Sequence, residues 1–245
     1  MGAKVLRALQ IALTLGLGAA LAATGVAAPA YASDPTPTAE GRTVEAAKTA
    51  VLRRIDLRLA ALRRMDQRIE RCRHLTDPHQ ATLQGFVDGA TSGLTALRAK
   101  VAAETTIPAL RADAQTMVHD YRVFILRGPQ VHGACTADNE TAAVARLREV
   151  AEKLAAGVAK AEQAGKDTTA AEADLAAMDG QLDVAGAALA GQTDKLLAIQ
   201  PGPDGDAIKA QVRAVRTQLR TALPALRRAV AEAQQVRRFL QSLAS

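Results

Sequence analysis

Residues 83–101 read LQGFVDGATSGLTALRAKV, and this segment has the clearest periodicity in the chain. Its apolar side chains follow one another at alternating intervals of four and three positions: Leu83, Val87, Ala90, Leu94, Leu97 and Val101. This spacing places all of them on one side of an α-helix and is typical of a coiled-coil seam. The sequence therefore predicts a long helix that packs against neighbours along its whole length.

The same periodicity continues on both sides of this stretch. It predicts helices over about 43–74 and 107–128, and further helices after Asn139, the last over about 206–243. Proline and glycine turns such as Pro201–Gly205 separate them. Long helices joined by short turns must lie antiparallel. The predicted fold is all-α: an elongated antiparallel, coiled-coil-like bundle of about six helices.

The domain organisation follows from these boundaries. Residues 1–32 are predicted to be a signal peptide, and residues 33–42 a short flexible leader. Residues 43–138 are predicted to form a three-helix unit clamped by one disulfide. Residues 139–245 supply further long helices, either in the same domain or in a second one.

The signal peptide is predicted from the order of its parts. Lys4 and Arg7 form a basic start, and a largely apolar run extends from Ala8 to about Val26. Ala30–Ala32 then places small residues where signal peptidase requires them. An uncleaved membrane anchor is the alternative, because the run is long enough to span a bilayer. Cleavage near Ala32 predicts a secreted or cell-wall-associated protein with no transmembrane segment in the mature chain.

The composition argues against an ordinary enzyme. Of 245 residues, 49 % are hydrophobic but only 2 % are aromatic, and there is no tryptophan. Much of the apolar content is alanine, which favours helices. Carbohydrate clefts and base-stacking surfaces rely on aromatic rings, which are nearly absent from this chain. No catalytic or nucleotide-binding motif occurs. We therefore predict a non-catalytic protein with no cofactor and no nucleic-acid partner.

Two segments resemble a known group of proteins. Gly93–Val101 and Asp120–Pro129 are similar to stretches in secreted, alanine-rich helical proteins of high-GC actinobacteria. The resemblance covers roughly residues 43–138 and weakens beyond them. That group has no assigned activity, so the resemblance implies a helical fold and an exported protein, and it transfers no functional residue.

The two cysteines, Cys72 and Cys135, are predicted to form a disulfide, because exported proteins fold in an oxidising environment. The helical prediction brings both to the same end of the three-helix unit. This requires that the helix beginning near Thr106 continues to Cys135 with no more than a kink at Pro129.

A metal-binding or redox site at the same end is the alternative. Cys72 and His74 are two residues apart, His132 and Cys135 are three apart, and His79 falls nearby. Such spacings suit soft metal ions held by thiolate and imidazole groups. The competing interpretation is a disulfide with solvated histidines near helix ends.

Positive charge is concentrated in the first and last predicted helices. Residues 207–245 contain eight basic residues and one acidic residue, Glu232. We predict a surface for an anionic partner, formed by Arg53, Arg54, Arg63, Arg64, Arg216, Arg220, Arg227, Arg228, Arg237 and Arg238. The partner would be an anionic cell-wall polymer such as teichoic acid, membrane headgroups, or another envelope protein. The alternative is a solvated face with no partner.

Overall fold

A computed structural model describes residues 43–243 of the chain. Within that range it contains helices and no strand, which confirms the predicted all-α class. Five of the described helices are longer than 20 residues, fewer than the six or so predicted. The elements in chain order are α1 (Val44–Arg71), α2 (Asp77–Ala103), α3 (Ile107–His119), a π-helical turn (Val123–Arg127), α4 (Gly128–Gln163), α5 (Thr169–Leu189), α6 (Gln192–Leu197) and α7 (Gly205–Ser242).

The predicted signal peptide and leader, residues 1–32 and 33–42, lie outside the described residues. Between residues 43 and 243, no helix combines the length and the hydropathy needed to cross a membrane.

Threonines fix where the first three helices begin. The hydroxyl of Thr43 accepts a hydrogen bond from the amide of Ala46, and Thr76 and Thr106 cap α2 and α3 in the same way. Each hydroxyl satisfies one of the amides that a helix leaves unpaired at its first turn. Both α2 and α3 also carry proline in the first turn, where no amide hydrogen is needed.

The described residues divide into two compact units, and neither is continuous in sequence. The first unit comprises residues 43–136 and 193–216. α1 packs against α2 and α3 within this unit. Its core contains fully buried side chains from these helices: Ile55, Leu62, Ile69, Leu83, Leu94, Leu110 and Met117. All six seam positions predicted between residues 83 and 101 are buried, as expected.

The second unit comprises residues 137–192 and 217–243. Leu154 of α4 and Met178 and Leu182 of α5 are each no more than 1 % exposed. Alanines of α7, including Ala229, are also completely buried. Alanine allows helix axes to approach closely, so this core is formed by small side chains as well as leucines.

The connection between α3 and α4 differs from the prediction. α3 ends at His119, Arg122 adopts a left-handed conformation with φ of 42°, and the π-helical turn follows. Pro129 then lies in the first turn of α4, which continues through Asn139 to Gln163. The predicted helix start after Asn139 is therefore wrong. Proline at a helix N-terminus begins the helix without a break, because its missing amide hydrogen would have no partner there.

Candidate functional site

One side of the second unit's part of α7 carries three exposed arginines, Arg220, Arg227 and Arg238. Their spacings of seven and eleven residues are close to two and three helical turns. The three therefore share one side of the helix over about 27 Å. We call this set the α7 arginine face. The buried residues Leu226, Ala229 and Ala233 lie on the other side of the helix.

No described acidic residue neutralises the α7 arginine face. None of its three arginines forms an ion pair among residues 43–243, and the same holds for Arg228 and Arg237, which flank it. Arg228 is exposed and Arg237 is half-buried. Five guanidinium groups within about 20 residues thus remain available to an external anion.

The predicted arginines of the first unit are also accessible. Arg53, Arg63 and Arg64 of α1 are exposed, and Arg54 is half-buried. Arg216, from the first unit's part of α7, is exposed as well. None of the five forms an ion pair with a described residue. The structure thus distributes the predicted anion-binding residues over both units.

One basic residue of α1 is not part of such a surface. Arg58 is buried, its guanidinium lies 5.2 Å from the centre of the Phe124 ring, and its Nη1 donates to the backbone oxygen of Arg54. Aromatic rings attract guanidinium groups, so Arg58 stabilises the packing of α1 on the π-helical turn.

The predicted disulfide between Cys72 and Cys135 is wrong. Both residues are thiols, and although they lie near one another they are not at disulfide distance. Cys72 ends α1 in an extended conformation and packs half-buried on the core. Cys135 is buried in α4. The prediction required one continuous helix from Thr106 to Cys135. The left-handed residue Arg122 and the π-helical turn interrupt that helix, so the height and the direction of Cys135 differ from those of a continuous helix.

The five residues of the alternative metal site do not converge either. Within the described part of the chain, no group of three His, Cys, Asp or Glu side chains has a geometry that could hold a metal ion. Nε2 of His79 lies 3.1 Å from Oδ1 of Asp194. His74 is half-buried next to Cys72 in the chain. The His79 imidazole is therefore hydrogen-bonded to a carboxylate of α6.

His132 lies among arginines. Arg68 Nη2 donates to His132 Nδ1 over 2.8 Å. Desolvation of the imidazole by surrounding protein lowers the pKa of His132, and the positive charges of Arg68 and Arg216 lower it further. A neutral imidazole that accepts a hydrogen bond from Arg68 fits these surroundings.

A buried glutamine that the sequence does not reveal organises the first unit. Gln130 is completely buried, and its Nε2 donates to the backbone oxygens of Leu196, at 2.9 Å, and Ile199, at 3.0 Å. Its Oε1 accepts from Nη1 of Arg127 at 2.8 Å. The side chain thus satisfies carbonyls at the end of α6 and a buried guanidinium at once.

Arg122 holds the loop before α7 in a similar way. Its Nε donates to the backbone oxygen of Gly202 over 2.7 Å, and its Nη2 donates to that of Pro203. These bonds explain why the left-handed conformation is retained despite its cost of about 1 kcal/mol or more for a residue other than glycine. No sequence pattern indicates this contact between residues 80 positions apart.

Glu140 of α4 is a partly buried carboxyl group in the second unit. Its Oε2 is shielded from solvent and has no hydrogen-bond partner in the structure. Burial raises the pKa of Glu140 from 4.5 to about 7. The folded state therefore holds a proton that the unfolded chain has already released between these pH values.

We expect the contribution of Glu140 to stability to be complete below pH 4.5 and lost as the pH rises through 7. Glu140→Gln removes the buried charge and should raise the free energy of unfolding at pH 8 by about 1–2 kcal/mol. This is less than the full pKa shift would give, because the carboxyl group is only partly buried and solvent screens its charge. At pH 4 the difference should vanish. Urea denaturation followed by circular dichroism at both pH values measures this. Glu162→Gln, at an exposed position of the same helix, should leave the pH dependence unchanged, and equal effects of both substitutions would contradict the assignment.

No model of a protein family, no curated protein and no solved structure matches the chain.

Proposed function

We propose that this chain is a non-catalytic protein of the cell envelope or exterior that binds an anionic wall polymer through the α7 arginine face. The observation that supports this most directly is that Arg220, Arg227 and Arg238 are exposed on one side of α7 and have no ion-pair partner among the described residues. Arginines arranged in this way attract repeating anions such as phosphates.

The spacing of the charges favours a polymer over a small anion. The α7 arginine face extends for about 27 Å, so no single phosphate or carboxylate could contact all three guanidinium groups. A chain of phosphates can engage them together and releases condensed counterions when it does so. Binding of this kind weakens as the salt concentration rises, because exposed charges are screened over about 10 Å at 0.1 M ionic strength.

Export and bundle form belong to the same proposal. The sequence of residues 1–32 supports removal of a signal peptide, and the resemblance to secreted actinobacterial proteins agrees with a location at the wall. The seams of α1, α2 and α5 support an elongated antiparallel, coiled-coil-like bundle. Such a scaffold would hold the arginines rigidly, so little conformational entropy is lost on binding.

We expect the triple variant Arg220→Gln, Arg227→Gln, Arg238→Gln to bind teichoic-acid-bearing cell wall about 100-fold more weakly than the unaltered chain. Each basic residue near an anionic surface contributes about 1 kcal/mol, and three of them give about two orders of magnitude. Co-sedimentation with isolated wall at increasing NaCl measures the affinity. The dependence on salt should also become shallower in the variant.

The matched control removes the same charge elsewhere in the second unit. Lys153, Lys160 and Lys166 are exposed and form no ion pair with a described residue. Their replacement by glutamine should change the affinity by less than about threefold, which is under 1 kcal/mol. Equal losses in the two triple variants would show that only net charge matters. Retention that does not depend on salt would favour a protein partner over the polymer.

A further inference from the structure

Three basic side chains from three helices of the first unit meet at one place. Arg68 of α1 donates through Nη2 to Nδ1 of His132, on α4, over 2.8 Å. The charge of Arg216, on α7, acts on the same imidazole. All three residues are exposed, and all three belong to the first unit. We call this set the His132 cluster. Because its members are exposed, a ligand in solution can reach them.

The packing of α1 on the start of α4 brings Arg68 to His132. A Cβ atom added at Gly128, the first residue of α4, would lie 3.3 Å from the terminal methyl carbon of Met65. Arg68 follows Met65 by three residues and His132 follows Gly128 by four, which is about one helical turn on each helix. The contact between the two basic side chains is therefore fixed by the helices that carry them.

The start of α7 places Arg216 beside the same imidazole. A Cβ atom added at Gly205, where α7 begins, would lie 3.5 Å from the side chain of Ile125. Arg216 lies about 16 Å further along α7, and His132 lies about 10 Å beyond Ile125. Long side chains on a helix slant toward its N-terminus, so the arginine side chain spans most of the difference. Three separate helices thus contribute one cation each.

No described carboxylate neutralises the His132 cluster. Neither Arg68 nor Arg216 forms an ion pair with any of residues 43–243. The two charges that shift the pKa of His132, those of Arg68 and Arg216, are both positive. Asp66 and Glu70 of α1 are each two positions from Arg68, which places them on a different side of the helix. Both guanidinium groups would therefore attract an anion that entered between them.

The donors of the His132 cluster suit a doubly charged phosphate group. Arg68 and Arg216 each present a fork of N–H groups that matches phosphate oxygens. The imidazole accepts from Arg68 only while it is neutral, and after protonation it becomes a third donor and a third positive charge. A phosphate monoester carries close to two negative charges and three acceptor oxygens, one for each side chain. A phosphodiester has one charge and two free oxygens, and so matches the three donors less well.

We infer that the His132 cluster binds a phosphate group that carries two negative charges, either inorganic phosphate or the monoester of a larger molecule. The phosphate oxygens replace Nδ1 of His132 as acceptors for Arg68. The imidazole takes up one proton from solvent and donates to the anion, while Arg216 contacts it from α7. The site does not rest on the α7 arginine face, so either proposal can fail without the other.

NMR of the histidine Cε1–H groups in the full chain tests the inference. The chain has four histidines, and His132→Gln identifies the resonance of His132. The probes are inorganic phosphate, glycerol phosphate and dimethyl phosphate, at about pH 7.5 and at an ionic strength held constant with NaCl. We expect a saturable shift of the His132 resonance with the first two probes, and at least tenfold weaker binding of dimethyl phosphate.

The relative affinities of these probes identify the source of the phosphate. Tighter binding of glycerol phosphate would indicate a monoester, and tighter binding of inorganic phosphate the free ion. The absence of saturation with both would overturn the inference. Equal affinity for dimethyl phosphate would also overturn it, because a singly charged diester would then suffice.

The protonation of His132 provides a second readout. A bound anion favours the charged imidazole, and by linkage the protonated imidazole binds the anion more tightly. We expect saturating phosphate to raise the pKa of His132 relative to NaCl at the same ionic strength. An unchanged pKa would show that the anion does not reach the imidazole, and would contradict the site.

Single substitutions separate the site from net charge. We expect Arg68→Gln and Arg216→Gln each to weaken phosphate binding at least tenfold, the effect of one strong charge-assisted bond. Arg63→Gln is the matched control, because Arg63 is exposed on α1, five residues before Arg68 and on another side of the helix. It should change the affinity by less than about threefold. Equal losses in Arg63→Gln and Arg68→Gln would refute the site.

The same variants test the geometry without any ligand. Arg68→Gln removes a positive charge beside the imidazole, so it should raise the pKa of His132 in NaCl alone, whereas Arg63→Gln should not. Both arginines are exposed, so both variants should melt close to the temperature of the unaltered chain. A raised pKa together with unchanged phosphate affinity in Arg68→Gln would confirm the contact and overturn the binding site.

Discussion

Gln130→Met should lower the free energy of unfolding by about 3–5 kcal/mol, the largest effect that we expect from a single substitution. Methionine has a similar length but no hydrogen-bond donor and, in its thioether, only a weak acceptor. The variant would leave the Arg127 guanidinium without its acceptor and the carbonyl of Ile199 without this donor, while the carbonyl of Leu196 would keep only the long bond from the Ile199 amide. Gln130 is completely buried, and Arg127, Leu196 and Ile199 are no more than 8 % exposed, so water cannot replace most of the lost bonds without rearrangement.

Urea denaturation of the full chain measures the effect of Gln130→Met. Gln200→Met is the matched control, because Gln200 is exposed and its Nε2 donates only to the backbone oxygen of Ala198. We expect the control to change the free energy of unfolding by less than about 1 kcal/mol, as is usual for exposed positions. Similar values for the two variants would show that the Gln130 bonds do not stabilise the first unit.

Leu62→Ala should cost about 2–5 kcal/mol, the second large effect. Leu62 of α1 is completely buried in the core of the first unit. Truncation removes apolar contact and leaves a cavity that the surrounding helices fill only in part. Thermal and urea denaturation of the variant would both report the loss.

Leu57→Ala provides the comparison within the same helix. Leu57 is 56 % exposed, and it lies five residues before Leu62, on a different side of α1. The change in intrinsic helix propensity is identical in the two variants, so the difference between them reports burial alone. We expect Leu57→Ala to change the free energy of unfolding by less than about 0.5 kcal/mol. A loss of similar size at both positions would contradict the packing of α1 described here, in which Leu62 is buried and Leu57 is exposed.

The helices could be predicted because their apolar residues repeat with the helical period. The seam from Leu83 to Val101 is buried at all six predicted positions, and Val51, Ile55, Leu62 and Ile69 of α1 are buried as well. The arginines of α7 follow the same rule on the opposite side, so their exposure is also predictable. The absence of acidic partners for these arginines could not be predicted, because it depends on which helices pack nearby.

The cysteine pair could not be predicted, because small local changes accumulate along a helix. Each residue of a helix turns the chain by about 100°, so an error of one residue redirects every later side chain. The left-handed Arg122 and the π-helical turn introduce such a change before Cys135. A disulfide depends on both distance and direction, so it is sensitive to this rotation.

The buried polar groups were missed for another reason. Gln130 and Arg127 lie next to Gly128 and Pro129, residue types that indicate a kink or an end of a helix rather than a core position. Their partners are 66 and 69 residues away for Gln130 and in α2 for Arg127. No local pattern encodes such long-range contacts, because a glutamine or arginine within a turn is ordinarily solvated.

The discontinuous composition of the two units sets an order for folding during synthesis. Residues 43–136 leave the ribosome first, but the first unit also needs residues 193–216, including the carbonyls that Gln130 binds. The second part is complete only about 80 residues after the first, which at 5–20 residues per second means a delay of about 4–16 s. The second unit in turn needs residues 217–243. The nascent chain therefore holds α1, α2 and α3 for seconds without Leu197 and the carbonyls that Gln130 binds.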